Sequence, residues 1–133
     1  MIQRIQSLYI FLYIIIKCYL LYTSLKYRSS FHFLIYEVEL FSSLLILLII
    51  FSIVTLFSFK KRKRQIILLY FLIMVQLVVL ISISILVFTV INSLRFLQNY
   101  QTILYLIGLI LLLLSLRGIK KDQKLIESID RIR

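Results

Sequence analysis

The chain has 133 residues, 62% of them hydrophobic, and carries a net charge of +11. Its mean hydropathy is +1.06, and a soluble domain of this length cannot bury so much apolar surface. The cations fall in short blocks between long apolar runs, which is typical of integral membrane proteins and not of nucleic-acid-binding domains. The composition therefore excludes a soluble globular domain, and we expect the lipid bilayer as the main partner and no nucleic acid.

Four apolar segments follow one another along the chain, at about residues 5–23, 40–59, 66–91 and 100–116. A helix of about 20 residues is about 30 Å long, which matches the hydrocarbon core of a bilayer. Backbone groups inside lipid need internal hydrogen-bond partners, so we expect helices. The predicted fold class is all-α, and the whole of 1–133 is predicted to be one membrane domain. It has four transmembrane helices in a bundle and a short amphipathic cytoplasmic helix at 117–133.

Five adjacent cations separate the second and third apolar segments. Basic residues concentrate in cytoplasmic loops, and twelve cations fall on the side of this run and the two termini against three on the other side. We therefore predict a multi-pass protein of the inner (cytoplasmic) membrane with both termini in the cytoplasm. The residues expected to set topology and to contact anionic lipid are Lys60, Lys61, Arg62, Lys63 and Arg64.

The last seventeen residues, 117–133, alternate charged residues with isoleucine and leucine at close to helical spacing. The favoured interpretation is a helix lying on the cytoplasmic leaflet, with its apolar side in the headgroup region and its cations near anionic lipid. The alternative is a helix that docks a cytoplasmic partner. The residues expected to take part in such docking are Asp122, Leu125, Ser128, Asp130 and Arg131.

Both ends of the chain carry a family resemblance. The start, MIQRIQSLY, and the end, KKDQKLIESIDRIR, resemble those of a family of small four-helix membrane proteins of unknown function, found mainly in the Bacteroidota. Gln123 departs from the glutamate usual in that family, and Gly118 and Ile129 replace small helix-forming residues. The resemblance implies the four-helix topology and brings no activity or mechanism with it.

Few residues in this sequence are suited to chemistry. His32 is the only histidine, and its spacing to Glu37 and Glu39 matches no metal-ligand pattern. We interpret these residues as an interfacial histidine and two carboxylates at a helix start. Cys18 is interpreted as a small apolar helix residue rather than an activated thiol. We therefore expect no enzyme, no catalytic residue, no cofactor and no metal ligand.

Two polar residues inside apolar segments remain candidates for function. Lys17 lies six residues before Thr23, about 9 Å along a helix, and we predict that its side chain snorkels to the outer headgroups. The polar residues of the third segment are predicted to hydrogen-bond across helices. They are Gln76, Ser82, Ser84 and Asn92. The favoured function is a non-enzymatic accessory or scaffold subunit that associates with other membrane proteins or with further copies of the chain. The alternative is a small oligomeric transporter or channel, with Gln76 near the middle of the membrane.

Overall fold

The computed structural model describes residues 2–28, 35–90 and 95–132, and within them side chains for 5–26, 42–59, 61–84, 100–126 and 128. The described residues form four α-helices joined in one place by a short 3-10 turn, Ser58–Lys60. The all-α prediction is confirmed. The helices are α1 (Ile2–Arg28), α2 (Ile35–Phe57), α3 (Arg62–Val90) and α4 (Arg95–Ile132).

Three of these helices contain stretches that are long and apolar enough to cross a membrane. By length and composition they are Ile5–Lys26 in α1, Arg62–Ser84 in α3 and Tyr100–Ile126 in α4. Helix α2 contributes a shorter apolar stretch, Ser42–Phe57. The predicted helical bundle with membrane-compatible helices is therefore present.

The sequence predicts that the basic run links two helices, but three of its five residues, Arg62–Arg64, belong to α3. Lys60 ends the 3-10 turn and Arg62 already begins α3, so only Lys61 lies between the two elements. The Lys61 N–H donates to the Ser58 carbonyl at 3.0 Å, and the Gln65 N–H donates to the Lys61 carbonyl at 3.1 Å. Lysine and arginine are good helix formers, so a charged segment can continue a helix as long as its side chains reach outward.

Residues 117–132 form the last turns of α4, where the sequence predicts a separate helix after Leu116. The helix passes through Gly118 without a left-handed residue. Ile119 is buried in the bundle and Asp122 is nearly so. Burial of these side chains stabilises further turns of the same helix, so α4 continues past the end predicted at Leu116.

The helices pack as neighbours in the order α2, α1, α4, α3, and α2 and α3 close the ring. Helices α1 and α4 are antiparallel, because Gln6 lies beside Asp122 whereas Tyr13 lies beside Gly108. Helices α1 and α3 lie diagonally opposite and start at the same end of the bundle. The buried residues of α3 lie on one side of the helix, as helical packing requires; they include Leu69, Leu72, Ile73, Gln76 and Val79.

The two glycines of the chain allow α1 and α4 to approach closely. A Cβ added at Gly118 would lie 2.9 Å from Cγ of Gln6, and one added at Gly108 would lie 3.3 Å from the Tyr13 ring. Small residues at such contacts bring helices close together in membranes. A side chain at residue 118 would therefore displace Gln6, while at residue 108 the fit against Tyr13 is tight.

Candidate functional site

A cluster of polar side chains occupies the centre of the bundle. Tyr13 and Lys17 come from α1, Gln76 from α3 and Tyr105 from α4, and all four are at most 1% exposed. We call these four residues the polar core. On α1 the two residues are one helical turn apart, so both face the interior.

Gln76 connects three helices through its side-chain amide. The Tyr13 hydroxyl donates to Oε1 of Gln76 at 3.1 Å, and Nε2 of Gln76 donates to the Tyr105 carbonyl at 3.0 Å. The first bond crosses the diagonal of the bundle from α1 to α3. Our prediction of a hydrogen bond across helices is therefore confirmed for Gln76. Ser82 and Ser84 instead donate to the carbonyls of Val78 and Leu80 in their own helix. Asn92 lies outside the described residues.

Lys17 lies in the interior of the bundle. Its side chain is 0% exposed, and its Nζ lies 4.0 Å from the ring centroid of Tyr105 and 5.2 Å from that of Tyr13. In the span Ile5–Lys26 it is nine residues from the C-terminal end, about 13 Å along the helix. The prediction that Lys17 snorkels is wrong, because its side chain turns inward onto two aromatic rings.

The two rings compensate only part of the cost of burying an ammonium group. A desolvated cation over an aromatic face gains about 2 kcal/mol per good contact, whereas burial without hydrogen bonds costs several kcal/mol. Among the residues that the structure describes, Nζ of Lys17 has no hydrogen-bond partner. Lys17 therefore fits its position through ring contacts and the packing of its aliphatic stem, at a net electrostatic cost.

A second polar contact joins the two ends of the chain. Nε2 of Gln6 donates to a carboxylate oxygen of Asp122 at 2.6 Å, and both residues are 7% exposed. Gln6 also lies against Gly118. The two terminal motifs that carry the family resemblance thus meet in space through Gln6 and Asp122.

Exposed cations surround this end of the bundle. Lys61, Lys63 and Arg64 are exposed at the start of α3, while Arg62 is half-buried. On α4 a further set of cations is exposed on the side away from α1. Its members are Arg117, Lys120, Lys121 and Lys124.

Among the residues predicted for partner docking, the structure separates Asp122 from Leu125 and Ser128. Asp122 is bound to Gln6 in the interior, whereas Leu125 and Ser128 are exposed. The side chains of Asp130 and Arg131, like that of Lys60 in the basic run, lie outside the described residues. Docking through Asp122 would require the helix contact to open, so we remove it from the docking set.

The other sequence candidates are distributed over the molecule. Cys18 is exposed on the outer side of α1. His32 lies outside the described residues, as do the side chains of Glu37 and Glu39 on α2. Within the part of the chain that the structure describes, no three His, Cys, Asp or Glu side chains are grouped to hold a metal ion.

Sequence reasoning missed the partners of Lys17 and Gln76. Tyr13 and Tyr105 look like ordinary apolar residues in long hydrophobic segments. The spacing of Tyr13 and Lys17, four residues apart in one segment, is the available signal, because it places both on the same helix face. No sequence spacing relates them to Tyr105.

A family model described as "Domain of unknown function (DUF4293)" matches residues 2–132. The chain belongs to this family. The match extends from the first turn of α1 to the last turn of α4, so it includes the polar core and the Gln6–Asp122 contact. No curated protein and no solved structure matches the chain.

Replacing Gln76 should destabilise the centre of the bundle. Gln76→Leu removes both inter-helix hydrogen bonds and leaves the Tyr13 hydroxyl without its acceptor. We expect a loss of about 0.5–2 kcal/mol in the free energy of unfolding, measured by denaturant titration in detergent. Ser82→Ala is the control, since its exposed hydroxyl donates only to Val78 of its own helix. Equal effects of the two substitutions would contradict a cross-linking role for Gln76.

Replacing Lys17 should change the free energy of unfolding in the opposite direction. Lys17→Met keeps the unbranched stem and removes a buried amino group that lacks a hydrogen-bond partner among the described residues. We expect the free energy of unfolding to stay the same or to rise by up to about 4 kcal/mol. Lys124→Met is the control, because Lys124 is exposed and should change stability little. A marked loss of stability in Lys17→Met alone would show that the charge has a favourable partner.

Proposed function

We propose that the chain is an integral protein of the inner membrane with four transmembrane helices. Helices α1 and α3 start at the same end of the bundle, because Gln6 and Tyr70 lie beside Asp122 and Lys120 of α4. The chain must therefore return along the whole height of the bundle between them. Helix α2 has 23 residues, about 34 Å, which supports its role as the fourth span.

The orientation that we propose places both termini in the cytoplasm. The exposed cations Lys61, Lys63 and Arg64 lie at the end of the bundle where α1 and α3 begin and α4 ends. A concentration of basic residues at one end of a bundle marks the cytoplasmic side. In this arrangement residues 117–132, with their cations on the side away from α1, form an amphipathic cytoplasmic extension of α4.

Within the membrane we propose a non-enzymatic accessory or scaffold subunit that packs against other membrane proteins or further copies of the chain. The observation that carries this proposal is that the polar side chains of the core contact each other across helices, while the exterior is broadly apolar. A transport function would depend on Gln76. The hydrogen bond that Gln76 accepts from Tyr13 inside the bundle gives this residue a role in helix packing. The exterior of α1 instead carries exposed aromatic side chains, Phe11, Tyr19 and Tyr22.

Reporter fusions test the topology. A fusion after Arg64 should be active as a cytoplasmic reporter, and a fusion after Arg28 as an external one, because the cations hold the start of α3 inside. The same two sites carry both reporter types, so each fusion controls for expression of the other. An externally active reporter after Arg64 would overturn the orientation.

Crosslinking from Cys18 tests the scaffold role. It is the single cysteine of the chain and is exposed, so a membrane-permeant maleimide with a photoreactive group labels one position on α1. We expect a discrete protein adduct in native membranes, and an adduct of twice the chain mass if copies pack together. The measurement is the mass of the adduct.

Two variants control that measurement. Cys18→Ser should give no adduct. Cys18→Ser with Met74→Cys moves the label to an exposed position on α3 and distinguishes a contact specific to α1 from random collision. The absence of protein adducts from both labelled positions would contradict the scaffold function.

A further inference from the structure

One face of the end of α4 is a stripe of four cations, Arg117, Lys120, Lys121 and Lys124. Their spacing of three, one and three residues places them on one side of a helix, and all four are exposed. Among the residues that the structure describes, none of the four forms an ion pair with a carboxylate. We call these four residues the basic stripe.

The opposite face of these turns of α4 fixes the direction in which the basic stripe points. Ile119 is buried in the bundle, and Asp122 accepts a hydrogen bond from Gln6. These contacts prevent rotation of α4 about its axis. The cations therefore present a preorganised surface, and the entropic cost of binding a ligand to it is reduced.

Lys120 joins the basic stripe to α3. Its Nζ donates to the hydroxyl of Tyr70 and lies 4.8 Å from the centroid of the same ring. Tyr70 is 44% exposed, and a phenol that accepts a hydrogen bond keeps its own O–H to donate. The ammonium group and the phenol thus supply two kinds of hydrogen-bond donor on the outer surface where α3 and α4 meet. We call this surface the groove.

The surface changes from basic to apolar along this groove toward the middle of the bundle. On α4 the face of the basic stripe continues through Leu113 and Ile110, which are exposed. On α3 the face of Tyr70 continues through Met74 and Leu77, which are exposed as well. A ligand that fills this groove needs an anionic group at one end and hydrocarbon at the other.

We propose that this groove binds an anionic phospholipid of the cytoplasmic leaflet. The phosphate accepts hydrogen bonds from Lys120 and from the Tyr70 hydroxyl, and the acyl chains lie along Leu113 and Met74. Arg117 and Lys124, about one turn to either side of Lys120, add attraction for the net negative headgroup. An acidic protein segment would use the cations and leave the apolar part of the groove without a role, so the groove fits a lipid better. The proposal rests on the orientation proposed above.

Native mass spectrometry of the full-length protein tests this site. The protein is released from detergent that contains equal amounts of phosphatidylglycerol and phosphatidylcholine with identical acyl chains. We expect the wild type to retain phosphatidylglycerol in preference to phosphatidylcholine. Lys120→Gln should weaken phosphatidylglycerol binding about fivefold, as expected for one cation at an anionic surface. Tyr70→Phe should also weaken it, because one donor is lost.

Lys63→Gln is the matched control, since it removes the same charge from an exposed residue of the basic run. It should leave phosphatidylglycerol binding unchanged. Circular dichroism and the melting temperature verify folding of every variant. If Lys120→Gln fails to fold, Tyr70→Phe carries the test, because it removes a single oxygen atom.

Three results would overturn the proposal. The first is an equal loss of phosphatidylglycerol in Lys63→Gln and Lys120→Gln, which indicates diffuse charge attraction. The second is equal retention of both lipids by the wild type. The third is an acidic protein that stays bound to the wild type and is lost in Lys120→Gln without lipid selectivity. Detergent exposes both ends of the bundle, so a failure here is distinguishable from an incorrect orientation, which the reporter fusions detect.

Discussion

The close antiparallel contact of α1 and α4 is the feature on which the rest of the bundle depends. It begins where Gln6 lies against Gly118 and continues to Tyr13 against Gly108. Because the glycines carry no side chain, the two helices approach closely enough for Gln6 to reach Asp122 and for Lys17 to reach the Tyr105 ring. These two side-chain contacts require the helices to lie close together. They determine which faces of α1 and α4 point inward.

The buried polar residues of the polar core contact one another across helices. Gln76 uses its amide to connect α1, α3 and α4, and Lys17 lies between the rings of two tyrosines. In a bilayer apolar side chains give little preference for one helix arrangement over another, since lipid is as apolar as leucine. Buried polar residues supply that preference, because a wrong arrangement would leave them without partners.

The all-α class and the four apolar helical segments follow from the sequence, because hydrophobic length and the need to satisfy the backbone inside lipid are local properties. The side-chain partners are not local. Gln76 and Tyr13 are 63 positions apart, and Gln6 and Asp122 are 116 apart. Lys17 shows the consequence: its distance from Thr23 indicates snorkelling, but the aromatic rings that draw it inward belong partly to α4, which no pattern near Lys17 reveals.

By itself the sequence determined an all-α, membrane-compatible chain with a basic run between its second and third apolar segments. The tertiary structure decided that α4 continues past Leu116, that Asp122 is an interior residue, and that Lys120 contacts Tyr70. The physical reason is that hydropathy and charge act on each segment alone, whereas the burial of a particular side chain depends on the helix that packs against it. The cations of α4 form a defined surface because the opposite face of the helix packs against α1.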